Sequence, residues 1–313
     1  MQRTRLAPSP TGALHLGNAR TFLLTWLWAR ARGAELVLRI EDLDGPRVKA
    51  GAAEQALQDL AWLGLDWDGP PLLQSTRLSA HLEALARLRA AGQVYACVCT
   101  RKEVEAAASA PHEGEEGPSY PGTCRGRFPD EEAAHAASGR DPAWRFALAP
   151  GLVEWVDGFR GPEARDPARD GGDFVVAKRS GEPAYQLAVV VDDAAQGVSD
   201  VLRGDDLVPS TPRQLLLYRA LGLTAPRFWH LPLVRGPDGR RLAKRHGDTR
   251  IAHYRELGVA PERVLGLLAA WSGLASRAPV SARALLPGFA LERVPRGDVT
   301  FQPADDAWLR AQG

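Results

Sequence analysis

The sequence lacks several features that would assign it to a particular class of protein. Its three cysteines are an odd number and do not make a disulfide framework. No apolar run is long enough to span a bilayer. The first residues lead directly into a predicted strand and lack the apolar core of a signal peptide. We therefore expect a cytoplasmic protein.

An excess of charge of one sign is also missing. The formal net charge is +1, so the protein as a whole does not attract polyanions. RNA could still bind through a local basic face. Hydrophobic residues make up 45% of the sequence and charged residues 25%, as in ordinary globular proteins. At 313 residues the chain allows one large domain or two to three small ones.

The segment RLAPSPTGALHLGN, from Arg5 to Asn18, organises the N-terminal part of the chain. A short strand is predicted over 4–7, and the turn that follows is too rich in proline and glycine to be helical. A long apolar helix is predicted over 18–32, ended by Gly33. Strand, loop and helix in this order predict the first unit of a parallel α/β sheet, in which ligands bind at the carboxyl ends of strands.

The loop before this helix carries His15 and Gly17. Gly17 would let a flat ring or a phosphate approach the backbone, and free N–H groups at the helix start would favour phosphate oxygens. His15 would add a donor beside that anion. The alternative is an ordinary strand–helix loop with a chance histidine, and the short pattern alone does not decide between the two.

A second predicted strand begins near Leu36 and ends in the charged run EDLD. The resulting βαβ unit would bring Glu41 and Asp42 near the loop of His15. The alternative is that these acids cap a helix that begins near Val48.

All three cysteines fall in one short segment, as Cys97, Cys99 and Cys124. A strand predicted over 94–99 puts the first two sulfurs on one face. Three thiolates are one ligand short of a tetrahedral zinc site, and on chemistry alone His112 is the first candidate for the fourth, because imidazole is a far commoner ligand than phenol. The alternative is a group of buried, inert thiols.

The second half of the chain alternates between predicted strands and helices. The apolar run 185–193 is interpreted as a buried strand, and a strand over 174–178 is predicted to return the chain to the main sheet. Thr211 is predicted to cap a helix. On their own, Tyr185 would be a core aromatic, Arg203 a surface salt bridge, and RLAKR at 241–245 a basic surface patch.

Several of these segments together resemble one family. The strings RLAPSPTG at 5–12, HLGNART at 15–21 and RIEDLD at 39–44 closely resemble the signatures of class I glutamyl-tRNA synthetases. The resemblance implies binding of ATP by His15, Gly17, Asn18 and Lys244, with His15 and Lys244 as catalytic residues. It implies binding of glutamate by Arg5, Leu6, Ala7, Pro8, Ser9, Glu41, Tyr185 and Arg203.

Within this implied glutamate site, Glu41 matches the position that contacts the substrate's α-amino group, as a carboxylate naturally would. Arg203 would take the side-chain carboxylate bidentately and so reject neutral glutamine. Arg5 is the competing candidate for that carboxylate, and the sequence does not divide the work between them.

The segment 241–245 occupies the place of the second class I signature, the Lys-Met-Ser-Lys-Ser type loop. It departs from that signature at Arg241 and Ala243 but keeps Lys244. A mobile lysine at this place would follow the charge that develops on pyrophosphate.

The Cys-x-Cys…Tyr-x-x-x-Cys pattern is similar to the zinc site of glutamyl-queuosine tRNA(Asp) synthetases and some glutamyl-tRNA synthetases. In those proteins the tyrosine oxygen completes the tetrahedron. The resemblance therefore favours Tyr120 as the fourth ligand, with His112 as the alternative.

The expected fold is α/β: a Rossmann-type doubly wound parallel sheet with a zinc-bearing insertion and a C-terminal helical region. The two catalytic halves are predicted at 1–94 and 184–235, the insertion at 95–183, and the signature loop with the helical region at 236–313. No anticodon-binding domain is expected, so the chain resembles the truncated paralogues of the family.

Those paralogues activate glutamate with ATP, without needing tRNA, and transfer it to the queuosine base of the tRNA(Asp) anticodon. The resemblance implies magnesium with the ATP, one structural zinc and no membrane partner, and we expect a monomer. Two alternatives stay open: an enzyme that charges the 3′ end of tRNA(Glu), and a non-catalytic RNA-binding module derived from a synthetase.

Overall fold

The computed structural model describes residues 1–43, 48–107, 119–240, 242 and 247–311. The strands are β1 (Arg3–Leu6), β2 (Glu35–Ile40), β3 (Leu72–Leu73), β4 (Val94–Cys97), β5 (Ala143–Phe146), β6 (Val153–Asp157), β7 (Gly161–Arg165), β8 (Phe174–Ala177), β9 (Asp200–Gly204), β10 (Arg227–Leu231), β11 (Val234–Arg235) and β12 (Val299–Thr300). The helices are α1 (Leu16–Arg32), α2 (Ala52–Trp62), α3 (Leu78–Ala90), α4 (Arg101–Ala107), α5 (Glu131–Ser138), α6 (Pro167–Asp170), α7 (Tyr185–Ala195), α8 (Ser210–Ala220), α9 (Ile251–Glu256), α10 (Pro261–Trp271) and α11 (Pro303–Arg310). None of the helices in these ranges is long and apolar enough to cross a membrane.

The core of the molecule is the predicted parallel sheet. Its strands run in the order β3-β2-β1 and then β9-β10, and all pairs within the two groups are parallel. The groups adjoin where the Ser199 N–H donates to the Arg3 carbonyl at 2.9 Å. Side chains alternate between the faces, so Leu36 and Leu38 enter one apolar cluster while Val37 packs against another. Both faces of the sheet are therefore covered.

The N-terminal strand, loop and helix form as the sequence predicts, with helix α1 beginning two residues earlier than expected. Gly33 ends α1 in the left-handed conformation, with a φ of 62° that favours glycine. The expected C-terminal helical region contains the helices α9 and α10.

The segment predicted as a strand over 185–193 is instead the helix α7. Its valines favour a strand, but a continuous apolar run does not distinguish a buried strand from a buried helix. Helix packing against α3, α8 and β8 decides the outcome. The correction matters for the site, because a helix presents Tyr185, Val189 and Asp192 on one face.

The insertion has its own antiparallel sheet, in the order β4-β5-β8. Strand β8 pairs with β5 there, so the expectation that 174–178 rejoins the main sheet is wrong. A separate hairpin, β6–β7, reaches the main sheet, where the Gly158 N–H donates to the Phe228 carbonyl at 2.7 Å. A Cβ on Gly158 would lie 2.2 Å from the ring of Trp229, so glycine permits this close approach.

The predicted N-cap of α8 is wrong by two residues. The helix begins at Ser210, after Pro209, and Thr211 lies inside its first turn. The Thr211 hydroxyl is fully buried and accepts a hydrogen bond from Arg203, so tertiary contacts replace the expected capping role.

Candidate active site

His15 is the N-cap of helix α1. Its Nδ1 accepts hydrogen bonds from the N–H groups of Gly17 and Asn18, at 3.1 and 3.4 Å, and the Asn18 side chain accepts from the His15 N–H at 2.7 Å. An acceptor at Nδ1 puts the ring proton of the neutral tautomer on Nε2. A Cβ on Gly17 would lie 3.0 Å from the His15 ring, so a larger residue there would require the ring to shift by a few tenths of an ångström.

This capping corrects the expectation of free N–H groups at the start of α1. The Leu16 N–H donates to the Thr249 carbonyl, the Gly17 and Asn18 N–H groups bond to the His15 ring, and the Ala19 N–H donates to the His15 carbonyl. At the start of α1, the expected free N–H groups are therefore replaced by the positive end of the helix dipole as the feature that favours an anion.

Glu41 follows strand β2 and lies beside the loop of the first strand, as predicted. Its N–H donates to the Pro8 carbonyl at 3.0 Å, and its Oε1 accepts from Arg39 Nη2 at 3.0 Å. Burial raises the pKa of Glu41 above its usual range, while Arg39 and Arg5 oppose that rise. The second carboxylate oxygen, Oε2, has no hydrogen-bond partner in the described part of the chain.

Asp42 does not cap the next helix. Its two oxygens accept from the Ser75 N–H and hydroxyl at 2.7 and 2.6 Å, while α2 begins at Ala52 with Gly51 as its N-cap. The alternative that Glu41 and Asp42 cap a helix is therefore wrong. The two hydrogen bonds of Asp42 connect the end of β2 to the turn after β3.

A buried ionic network lies beneath Glu41. Arg39 Nη1 donates to Asp193 Oδ1 at 2.7 Å, and Arg5 Nε lies 3.4 Å from the same oxygen. The side chains of Arg39 and Asp193 are 0% and 1% exposed. Burial alone would lower the pKa of Arg39, but Asp193 and Glu41 outweigh it and raise that pKa above its usual value. Asp193 therefore pairs with both arginines and holds their guanidinium groups in place.

Tyr185 is the first residue of α7, with 40% of the residue exposed. Partial burial and then Glu41 raise its pKa to about 12, while Arg203 and Arg5 act in the opposite direction. Tyr185 therefore lies near Glu41, Arg203 and Arg5, the residues to which the family resemblance gives a role in binding glutamate.

Arg203 is 4% exposed at the end of β9. Its Nε donates to His230 Nε2 at 3.0 Å, its Nη1 to Gln214 Oε1 at 2.7 Å, and its Nη2 to Thr211 Oγ1 at 2.8 Å and the Leu207 carbonyl at 3.4 Å. All of these acceptors are neutral, and burial lowers the pKa of Arg203. No carboxylate in the described ranges forms an ion pair with this buried cation.

The bonds of Arg203 limit how it can hold an anion. They occupy four of its five N–H groups and leave one on Nη1, so a bidentate grip would require one of these bonds to give way. Arg5 is less engaged, because its Nη1 donates to the Leu202 carbonyl at 3.1 Å while its Nη2 makes no hydrogen bond to the described residues.

The remaining residues of the first signature line the same edge of the sheet. Leu6 and Pro8 are buried, Ala7 is half-buried, and Ser9 is exposed with its hydroxyl 3.2 Å from that of Thr11. Lys244 and His112 lie outside the described residues, as do Arg241, Ala243 and Arg245.

The three cysteine sulfurs form a cluster in the insertion and all lie within 4.8 Å of one another. The Tyr120 hydroxyl oxygen lies 3.4 Å from Cys97 Sγ and 4.0 Å from Cys99 Sγ, and it accepts from the Cys124 N–H at 2.9 Å. Tetrahedral Zn–S bonds of about 2.3 Å would place two sulfurs about 3.8 Å apart, so the donor set fits a metal of this kind.

The surroundings of this cluster fit negative charge on the sulfurs. Arg145 Nε donates to Cys97 Sγ at 3.3 Å, and its guanidinium lies 3.7 Å from the centre of the Tyr120 ring. Gly172 allows the Tyr120 backbone to approach, since a Cβ there would lie 2.3 Å from the Tyr120 carbonyl oxygen.

Sequence reasoning missed the residues that hold the site in shape. Arg39, Asp193 and His230 each make buried polar contacts with a predicted site residue or its partner. A charged side chain within an otherwise apolar buried segment is the signal that would have found the first two, because such residues are rarely buried unless paired.

Comparisons with known proteins agree with this geometry. A family model described as tRNA synthetases class I (E and Q), catalytic domain, matches residues 1–277. The chain belongs to this family. It is accordingly a ligase of the aminoacyl-tRNA synthetase type.

Two relatives and one solved structure show which members of this family the chain is similar to. A glutamyl-Q tRNA(Asp) synthetase of Symbiobacterium thermophilum is 54% identical over 311 residues, which cover 96% of each chain. A glutamate–tRNA ligase of Synechococcus sp. is 40% identical, covering 99% of this chain and 65% of its own. A crystal structure of a glutamate tRNA ligase from Elizabethkingia meningosepticum, in complex with its amino acid, superposes with a TM-score of 0.81 at 30% identity, covering 98% of this chain and 68% of that one.

The ionic network of this synthetase leads to a prediction about stability. Asp193→Asn would leave Arg39 and Arg5 buried beside a neutral group, and we expect the free energy of unfolding to fall by about 3–5 kcal/mol. Urea denaturation measures the loss. Glu105→Gln is the matched control, because Glu105 pairs with Arg101 on the surface, where such a pair contributes about 0–1 kcal/mol. Equal losses in the two variants would contradict the role of Asp193.

Proposed function

We propose that this synthetase activates glutamate with ATP and transfers it to the queuosine base of the tRNA(Asp) anticodon. The observation that carries the proposal is Arg203, a buried guanidinium whose hydrogen-bond partners are all neutral. A buried charge needs a counter-ion, and an incoming carboxylate would supply it. Glu41, which like Arg203 lies near Tyr185, offers Oε2 to an ammonium group.

Glutamate fits this distribution of charge. Its side-chain carboxylate would lie at Arg203 and Arg5, and its ammonium group at Glu41. Its α-carboxylate would then face the loop of His15. Among the described residues, Arg203 has one N–H group without a hydrogen bond, and Arg5 Nη2 makes none. The two arginines would therefore share the side-chain carboxylate, each binding one of its oxygens.

In the first step, the α-carboxylate attacks the α-phosphate of ATP and forms glutamyl-adenylate and pyrophosphate. His15 Nε2–H would donate to the phosphate oxygens, and Lys244 would follow the charge on the leaving pyrophosphate. Magnesium bound to ATP would neutralise part of that charge. Positioning of the two substrates supplies much of the rate.

In the second step, a hydroxyl of the modified base attacks the adenylate carbonyl, and AMP leaves. The identities support this acceptor: four relatives named glutamyl-Q tRNA(Asp) synthetase share 46–54% of residues with the chain, and four named glutamate–tRNA ligase share 40–42%. An anticodon-loop nucleotide can be splayed out into a pocket at modest cost, which suits a reaction on a base.

The acceptor is tested with labelled glutamate and purified tRNAs. We expect transfer to tRNA(Asp) that carries queuosine and none to tRNA(Asp) without it or to tRNA(Glu). Enzymatic removal of the 3′ adenosine should leave transfer intact, because the terminal ribose takes no part. Loss of transfer after this trimming, or charging of tRNA(Glu), would show that the enzyme charges a conventional 3′ end instead.

The pH dependence of glutamate binding tests Glu41. Only the carboxylate form attracts an ammonium group, and burial raises the pKa of Glu41, so the KM for glutamate should rise as the pH falls through that pKa. Glu41→Gln should raise the KM roughly tenfold to a hundredfold and remove this dependence. ATP–pyrophosphate exchange measures both, with the KM for ATP as the internal control. A variant with the wild-type KM and pH profile would exclude Glu41 from the site.

The cysteine cluster would hold one structural zinc ion, with Cys97, Cys99, Cys124 and Tyr120 as its ligands. A bound ion would fix the insertion and take no part in the chemistry of activation. We also propose the domain division that the sequence predicts. Residues 1–94 and 184–235 form the two catalytic halves, 95–183 the insertion, and 236–313 the signature loop with the helical region.

Metal analysis tests the zinc site directly. Protein purified without chelator should contain about one zinc per chain, and Cys97→Ser or Cys124→Ser should lose it. Tyr120→Phe should weaken zinc binding while His112→Ala leaves it unchanged, which separates the two candidates for the fourth ligand. Zinc-free wild-type protein would contradict the site, and the opposite result for the last two variants would assign the fourth position to His112.

A further inference from the structure

A chain of buried hydrogen bonds links the β6–β7 hairpin of the insertion to Arg203. Asp157, at the end of β6, faces His230 of β10, and their relative exposures are 2% and 0%. Asp157 Oδ2 lies 2.5 Å from His230 Nδ1, and Arg203 Nε lies 3.0 Å from His230 Nε2. Nothing in the proposed mechanism so far uses Asp157 or His230.

The hydrogen bond from Arg203 fixes the tautomer of His230. A guanidinium can only donate, so His230 Nε2 must accept, and the ring proton must lie on Nδ1, where it donates to Asp157. Burial lowers the pKa of His230 to about 4, with Arg203 acting in the same direction and Asp157 opposing, so the ring is neutral at pH 7. The Thr211 hydroxyl also lies 3.2 Å from His230 Nε2 and, since its oxygen accepts from Arg203 Nη2, it can donate its own proton to Nε2. A neutral His230 with its proton on Nε2 would instead point that N–H at the N–H of Arg203 Nε.

The other oxygen of Asp157 is held by backbone donors. Oδ1 accepts from the N–H groups of Phe159, Arg160 and His230 at 3.0, 2.9 and 3.1 Å. These three bonds fix the orientation of the carboxylate, so that Oδ2 is the oxygen that meets the His230 ring.

We propose that Asp157 is a positioning residue for the amino-acid site: it holds His230 in the Nδ1–H tautomer, and His230 thereby orients Arg203 toward the substrate's side-chain carboxylate. The insertion therefore contributes to glutamate binding through its hairpin. This role rests on the proposed function of Arg203.

Asp157→Asn tests the role with little change in shape. The three backbone N–H groups require an acceptor at the Oδ1 position, so the amide oxygen takes that place and the NH2 group faces His230 Nδ1. The His230 ring must then carry its proton on Nε2, where this N–H faces the N–H of Arg203 Nε and the hydrogen bond between them is lost. We expect the KM for glutamate to rise roughly tenfold to a hundredfold, with kcat and the KM for ATP little changed.

Two further measurements separate positioning from a merely structural role. Two-bond ¹⁵N–¹H spectra, assigned through His230→Gln, should report an Nδ1–H ring in the wild type and an Nε2–H ring in Asp157→Asn. When residue 230 is glutamine, its amide oxygen can accept from Arg203 whichever residue stands at position 157. In this His230→Gln background, Asp157→Asn should therefore no longer raise the KM for glutamate.

An Nε2–H ring in the wild type overturns the proposal without any variant, so it stays falsifiable if Asp157→Asn fails to fold. An unchanged KM in Asp157→Asn, or an equal rise in both backgrounds, overturns it as well. If wild-type protein shows no glutamate-dependent exchange, the proposed function fails and this role fails with it. If the wild type does exchange and only the variants depart from expectation, the failure belongs to the positioning role alone.

Discussion

The proposed amino-acid site depends on how three arginines are buried at the carboxyl edge of the parallel sheet. Arg5 and Arg39 share the carboxylate of Asp193, and Arg39 also pairs with Glu41, so their charges are compensated within the protein. Arg203 differs, because its partners are a histidine, a glutamine, a threonine and a carbonyl. In the described part of the chain this cation is held by four hydrogen bonds and pairs with no carboxylate, so it suits the substrate carboxylate that we propose.

The neutral partners of Arg203 are themselves held by other elements. Gln214 donates to Gln186 of α7 at 3.0 Å, and His230 is held by the hairpin of the insertion. The cysteine cluster lies elsewhere, within a separate apolar cluster of the insertion. The insertion thus meets the proposed amino-acid site through its hairpin, while its cysteine cluster belongs to another part of its fold.

The sequence predicted the parallel sheet and helix α1, because spacing carries that information, while only the family resemblance implied the grouping of Arg5, Glu41, Tyr185 and Arg203. It did not predict α7, since a short apolar run rich in valine suits both strand and helix. It also missed Asp193 and His230, because contacts between side chains so distant in sequence follow from the packing of whole elements. The closed hydrogen bonds at the start of α1 depend on a rotamer of His15, which no spacing reveals.

The most direct test of this account is ATP–pyrophosphate exchange without RNA, with glutamate compared with glutamine. The two amino acids differ in the one group that would meet Arg203, and an unpaired buried cation should reject the neutral amide strongly. We expect exchange with glutamate and almost none with glutamine. Comparable exchange with the two amino acids, or exchange that requires tRNA, would contradict the assignment of Arg203 as the carboxylate-binding group of a tRNA-independent synthetase.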